Sequence, residues 1–149
     1  MGILSQLVSI ARRRSPWFFH LNTGGCNGCD IELKACLSPR YDLEQAGILL
    51  VGSPRHADVL CVTGPVTLAT RGALAAVYNQ MPEPKAVVAI GSCPATCDVF
   101  AGSPAIAGPL AHILPVTVYV PGCPPRPNDI VKGVERAVRS LAGKEKDNK

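Results

Sequence analysis

Large aromatic residues are scarce: one Trp, three Phe and three Tyr make up 5% of the 149 residues. The basic residues do not interleave with them, so the net charge of +4 is read without a nucleic-acid partner. Charge is also thin. Asp, Glu, Lys and Arg amount to 17%, below the usual quarter or so of a soluble domain, and part of the surface is expected to be covered by a partner. No apolar run approaches the ~20 residues that span a bilayer; Ala105 to Val120 is broken by Pro109, His112 and Pro115. The order of a signal peptide is missing, because apolar Ile3 to Ile10 precedes the basic run Arg12-Arg13-Arg14. A twin-arginine signal fails where Ser15-Pro16 and His20 follow the arginines, and Gln6 stands where myristoylation requires Ser or Thr. The expected location is cytoplasmic or facing the cytoplasm. There is no internal repeat.

Seven cysteines are odd in number and too irregularly spaced for a disulfide framework; a cytosolic chain with this many more often binds metal. Fourteen Gly and fourteen Pro mark many sharp loops. The length suits one domain with a real core. Residues 1–16 read as an amphipathic helix ending in arginines, with Ile3, Leu4, Leu7, Val8, Ile10 and Ala11 near helical spacing; it would pack on its own domain or dock on a partner or membrane surface. Trp17-Phe18-Phe19 reads as a buried aromatic cluster. The spacing predicts a short helix over Asp30 to Leu37, stopped by Pro39. Ile48 to Val51, Val59 to Thr63, Ala86 to Ile90 and Val116 to Val120 are apolar runs bounded by Gly or Pro. Such runs suit strands buried on both faces of a parallel sheet. Between them Thr67 to Tyr78 is Ala-rich and helical in pattern. Pro127 to Leu141 places Ile130, Val131, Val134, Ala137, Val138 and Leu141 on one helical face. The fold class is therefore α/β, an open, mostly parallel, flavodoxin-like sheet over residues 17–142, followed by a charged, disordered tail over 143–149.

The third and fourth runs lead straight into cysteine loops, Gly91-Ser92-Cys93-Pro94 and Pro121-Gly122-Cys123-Pro124. Open α/β sheets bind ligands outside the carboxyl ends of their strands. The sheet should bring Cys93 and Cys123 to one edge, where the loop Thr23-Gly24-Gly25-Cys26-Asn27-Gly28-Cys29-Asp30 can close the site. Four thiolates from a CxxC turn and two Cys-Pro loops suit one [4Fe–4S] cluster. A Pro directly after a ligand removes an N–H and stiffens the loop. Three other readings stand beside it. Structural zinc also takes four cysteines, but usually as two paired knuckles; a zinc-stabilised α/β binding module is the alternative of another class. A thioredoxin-like CxxC would leave the two Cys-Pro loops idle. All seven cysteines could be small buried hydrophobes, the reading preferred for Cys36 and Cys61. Either cysteine of Cys93-Pro94-Ala95-Thr96-Cys97 could reach the metal; Cys93 is favoured because it directly follows the strand and Gly91.

Taken together, Gly-Cys-Asn-Gly-Cys-Asp-Ile-Glu (25–32), Arg-Tyr-Asp-Leu (40–43), Pro-Arg-His-Ala-Asp-Val-Leu (54–60), Gly-Ser-Cys (91–93) and Val-Pro-Gly-Cys-Pro-Pro-Arg-Pro (120–127) resemble the family of the [NiFe]-hydrogenase small subunit and the B subunit of NADH:quinone oxidoreductase (complex I). Complex I members carry adjacent cysteines at the first position, whereas this chain has the hydrogenase spacing. Neither the exported leader nor the two-cluster C-terminal domain of uptake enzymes is expected here. The resemblance is therefore to the small subunit of a membrane-bound, energy-converting (group 4) [NiFe] hydrogenase. Complex I-like quinone-reducing, sulfane-reducing and antiporter-linked complexes share the pattern.

That resemblance implies that Cys26, Cys29, Cys93 and Cys123 ligate one [4Fe–4S] cluster proximal to a NiFe site in a separate large subunit. It implies a relay of electrons to that site, where protons become H₂, with no complete active site in this chain. The partners implied are the [NiFe] large subunit, a ferredoxin-like Fe–S subunit and integral membrane subunits, on the cytoplasmic face of the membrane. Asp30 and Glu32 would handle protons or dock the large subunit, or would simply be anions at a helix N-terminus. Arg55 and His56 fall in a motif near the subunit interface, a region that faces quinone in complex I; hydrogenase-type spacing predicts no quinone site here. Arg126 would offset the cluster's negative charge or remain solvated.

Overall fold

The structure, a computed structural model, describes residues 14–147. Of the helix expected over residues 1–16, residues 1–13 lie outside the described residues.

Five parallel strands form the central sheet: β1 (Trp17–Asn22), β2 (Leu49–Leu50), β3 (Val59–Thr63), β5 (Ala86–Ile90) and β7 (Val118–Val120), in spatial order β2-β1-β3-β5-β7. Two short strands, β4 (Val66–Thr67) and β6 (Ile106–Gly108), pair antiparallel beside it. Counting only the strands of the large sheet, the order is the flavodoxin-like 2-1-3-4-5, whose direction reverses between β1 and β3. The helices are α1 (Gly28–Ala35), α2 (Leu68–Gln80), α3 (Ser92–Thr96) and α4 (Pro127–Asp147). Among the described residues no helix is long and apolar enough to cross a membrane.

The open parallel α/β sheet expected from the apolar runs is present. β3 and β5 are buried at all five positions. Alternation then divides their side chains between two cores. Val59, Cys61, Val88 and Ile90 join Phe18, Leu33 and Cys36 under Ile130, Val134, Ala137 and Leu141 of α4. Leu60, Val62, Val87 and Ala89 meet Leu74 of α2, Val66, Leu110 and Leu114 on the other face. Each fully buried side chain of this size contributes about 1.5–3 kcal/mol. The apolar but Pro-broken stretch before β7 supplies β6, a 3₁₀ turn (Leu110–His112) and the buried anchors Leu110 and Leu114.

The aromatic cluster is a strand. Phe18 is fully buried, but Trp17 is 37% exposed at the sheet's amino-terminal edge, beside His56. β1 escapes the apolar-run criterion because His20 and Asn22 share the face of Phe18, which turns polar toward the carboxyl end. α2 starts on a capping box: Thr67 Oγ1 accepts from Thr70 N and Thr70 Oγ1 from Thr67 N, both at 3.2 Å. Its far end is closed by Lys85, whose Nζ donates to the carbonyls of Tyr78 and Met81 at 2.9 and 3.3 Å, as suits a helix C-terminus. α4 continues to Asp147, past Leu141 where its apolar face ends.

Candidate metal centre

Four parallel strands end side by side, and each delivers a loop to the same edge. β1 delivers Thr23 to Cys29, β3 delivers Gly64, β5 delivers Cys93, and β7 delivers Cys123. The loops are stitched together before any metal is considered. Thr23 N and Oγ1 both donate to the Thr63 carbonyl at 2.9 Å, and Oγ1 also to Gly64 O at 3.0 Å. Gly91 N donates to Val120 O at 2.8 Å, and Ser92 N to Gly122 O at 2.9 Å, which fixes the Cys93 loop against the Cys123 loop.

Between the loops lies an open pocket lined by Cys26, Cys29, Cys93 and Cys123 together with Gly25, Gly28, Gly64, Gly122 and Pro124. Three separate loops thus bring the four expected cysteines to one place. Cys26 and Cys123 are exposed, Cys29 is half-buried and Cys93 is buried, so the pocket opens to the surface on one side. Cys97 does not line it; it is the left-handed residue (φ 66°) that closes α3, and is buried. Cys36 and Cys61 are fully buried in the core under α4. Burial pushes the Cys36 thiol up to about 11 and raises that of Cys61 further.

Glycine is required at two points of this cradle. A Cβ on Gly91, whose φ is +96°, would come 2.6 Å from Cys29 Sγ. A Cβ on Gly64, φ +78°, would meet Gly25 N at 2.3 Å, so the loops after β1 and β3 touch backbone to backbone.

Burial pushes Cys29 up to about 11, and its neighbours Cys93, Cys123 and Cys26, then Asp30, add to this. Cys93 is raised by burial, then by Cys123, Asp98 and Cys26. Burial and neighbouring thiols that oppose ionisation at Cys29 and Cys93 fit a positively charged occupant, which would reverse the penalty. Among the described residues no three Cys, His, Asp or Glu side chains close on a point where a single ion would sit. Four cysteines around one pocket are a donor set that fits a cubic iron–sulfur cluster.

Asp30, singled out in the sequence, lines the pocket and centres a polar network whose other members the sequence did not reveal. Asp30 in α1 is 6% exposed. Its Oδ1 accepts from Thr63 Oγ1 at 2.8 Å and lies 2.8 Å from His20 Nε2, and its Oδ2 accepts from Asn22 Nδ2 at 2.8 Å. Thr63 gives its proton to Asp30, so His20 Nε2 faces acceptors and carries its own N–H there. The available signal was Asn22 just before Thr-Gly-Gly, since asparagine bonds readily to backbone in turns. Arg55 is not brought to the pocket. It lies on the 3₁₀ turn Pro54–His56 before β3, at the opposite edge of the sheet, and is exposed. Arg126 is exposed between the Cys123 loop and α4, and Glu32 is partly exposed on α1; neither lines the pocket.

These features define a class, an open α/β domain with a four-cysteine pocket at the carboxyl edge of its sheet. Residues 26–137 match the family described as NADH ubiquinone oxidoreductase, 20 Kd subunit, and the chain belongs to that family. It is 58% identical over 129 residues to a protein described as a probable membrane-bound hydrogenase subunit, mbhJ, of Pyrococcus furiosus, covering 87% of this chain and 77% of that one. It is 41% identical over 145 residues to formate hydrogenlyase subunit 7 of Escherichia coli, covering 96% of this chain but 57% of that protein. Among solved structures, the membrane-bound sulfane sulfur reductase, an archaeal respiratory membrane complex, matches with a TM-score of 0.78 at 34% identity, over 91% of this chain and 75% of that one.

Proposed function

We propose that the chain is the electron-transfer small subunit of a membrane-bound, energy-converting [NiFe] hydrogenase complex, and that Cys26, Cys29, Cys93 and Cys123 hold one [4Fe–4S] cluster. The observation that carries this reading is the single pocket lined by four cysteines from three loops. When bound, such a cluster accepts and returns one electron at a time. The chain's part is to bind and orient it. Gly25, Gly28, Gly64 and Gly91 let the backbone approach, and the pairing of β1, β3, β5 and β7 fixes the spacing of the ligands. The pocket opens to the surface at Cys26 and Cys123. A [NiFe] large subunit seated there would exclude water and receive electrons for proton reduction to H₂. Exposed Ile31, 64% accessible on the helix after the CxxC turn, supplies apolar surface beside that opening. Glu32 and Arg126 are assigned to that contact, and Arg55 on the opposite edge to a different subunit. A ferredoxin-like Fe–S subunit and integral membrane subunits complete the complex, with this chain peripheral on the cytoplasmic face. Similarity to proteins described as hydrogenase and formate hydrogenlyase subunits supports the reading.

The likeness to a sulfane sulfur reductase favours one second reading, the same relay in a complex that reduces another acceptor. The test is anaerobic EPR of the dithionite-reduced complex, with iron and zinc quantified on the same sample and H₂ evolution assayed. About four irons per chain, a reduced-cluster signal and H₂ production are expected. One zinc and no signal overturns the cluster. Iron and signal without H₂ moves the relay to the second reading.

A further inference from the structure

Asn22, the last residue of β1, spends its whole hydrogen-bonding capacity on the first cysteine loop. Its Oδ1 accepts from Gly24 N at 2.8 Å and Gly25 N at 2.9 Å. Its Nδ2 donates to Asn27 Oδ1 at 3.1 Å and Asp30 Oδ2 at 2.8 Å. An asparagine amide offers two acceptor and two donor positions, and all four reach residues 24 to 30. The orientation of the amide is fixed by its partners. Turned over, Nδ2 would face two N–H groups and Oδ1 would face a carboxylate.

We infer that Asn22 is a positioning residue that clasps the Cys26–Cys29 loop open around the pocket, so that both sulfurs stand ready before a cluster arrives. This rests on the reading of Cys26 and Cys29 as cluster ligands. The glycine-rich loop has little stiffness of its own. Rigid supports meet it on both sides of the clasp. β1 is held by its ladder to β3 through Asn22 and Thr63, and Asp30 is anchored by Thr63 and His20. Asn22 joins the two supports across the loop. Ligands held by such outer contacts are those a cluster meets already in place.

The variants Asn22→Ala and Asn22→Asp separate the contacts. The first removes all four. The second keeps the acceptors for Gly24 and Gly25, loses both donors and sets a carboxylate against Asp30. Adding Asp30→Asn to Asn22→Asp restores an amide-to-carboxylate bond with the partners exchanged.

In the purified complex, hydrogen exchange of the peptide carrying Gly24 and Gly25 should be about tenfold faster in Asn22→Ala than in the wild type. Its iron should fall below about half the wild-type content, and the EPR signal and midpoint potential of the remaining cluster should shift. Asn22→Asp should show the same iron loss, and the exchanged pair should regain most of the iron and the wild-type signal. Exchange, iron and potential unchanged in Asn22→Ala overturn the clasp. Failure of the exchanged pair to recover anything beyond Asn22→Asp also overturns it. Should Asn22→Ala not accumulate, the Asp variant and the exchanged pair decide alone. If the wild type itself carries zinc and no iron, the cluster reading falls, and the exchange rates still decide whether the loop is clasped.

Discussion

His20 Nε2 lies 2.8 Å from Asp30 Oδ1, yet burial outweighs that attraction and holds the imidazole pKa below its ordinary value of 6.5. Asp30, by charge and hydrogen bond, pulls the pKa up, and Lys34 adds a smaller downward push. The folded chain therefore keeps His20 neutral where the unfolded chain would protonate it. Between the lowered native pKa and about 6.5 the unfolded state binds more protons, so stability rises with pH there and is lost as pH falls below about 6.5. The midpoint of thermal unfolding should drop between about pH 7.5 and about pH 5.5. His20→Gln, which keeps an N–H for Asp30 but cannot titrate, should flatten that drop. Equal slopes in the two proteins would remove His20 from the explanation.

The neighbouring cysteines of the second loop make a sharp comparison. Cys93 lines the pocket and Cys97 does not. Cys93→Ala is expected to lose most of the iron, whereas Cys97→Ala should keep it and cost about 1 kcal/mol as a buried truncation. Iron analysis and denaturant midpoints of both variants check this; iron retained in the first and lost in the second would exchange their roles.

Gly91→Ala should be far worse than a methyl group suggests. The residue has φ +96°, and its Cβ would crowd Cys29 Sγ at 2.6 Å. Backbone strain alone costs about 1–3 kcal/mol, and the displaced sulfur should lower cluster content as well. A variant with full iron and unchanged stability would show that the loop relaxes freely.

Leu74→Ala tests the far core independently. Leu74 is fully buried between α2 and the sheet, on the face away from the Asp30 network. The expected cost is about 2–5 kcal/mol, read as a lowered unfolding midpoint, with the EPR spectrum of the folded protein unchanged. A changed spectrum would mean that the two cores are more tightly coupled than their geometry implies.

The strands β3 and β5 were legible because they are apolar at every position, the pattern imposed by burial on both faces of a parallel sheet. The helix after Pro127 was legible for the same kind of reason, since one face alone is apolar. β1 was not, because His20 and Asn22 break its run. Those residues are polar because Asp30 of α1 meets them there, and no local pattern announces a contact with a helix across a loop. β2 falls inside the expected run Ile48 to Val51, whereas the two-residue β4 leaves too short a pattern to read. Arg55 belongs to the same quoted motif as β3, but closeness in sequence misleads: it precedes the strand, and the cysteine pocket lies beyond the carboxyl end.

By itself the sequence determined the fold class, the number of cysteine loops and which of them follow strands, because burial periodicity and glycine-bearing Cys-Pro turns are local properties. Only the tertiary structure decided that the three loops share one pocket and that Cys93 rather than Cys97 lines it. It also decided that Asn22, Thr63 and His20 stand behind the first loop. These depend on strand order and register, which bring residues some forty positions apart within hydrogen-bonding distance. Placing β1 between β2 and β3 creates the switch point at which the pocket opens.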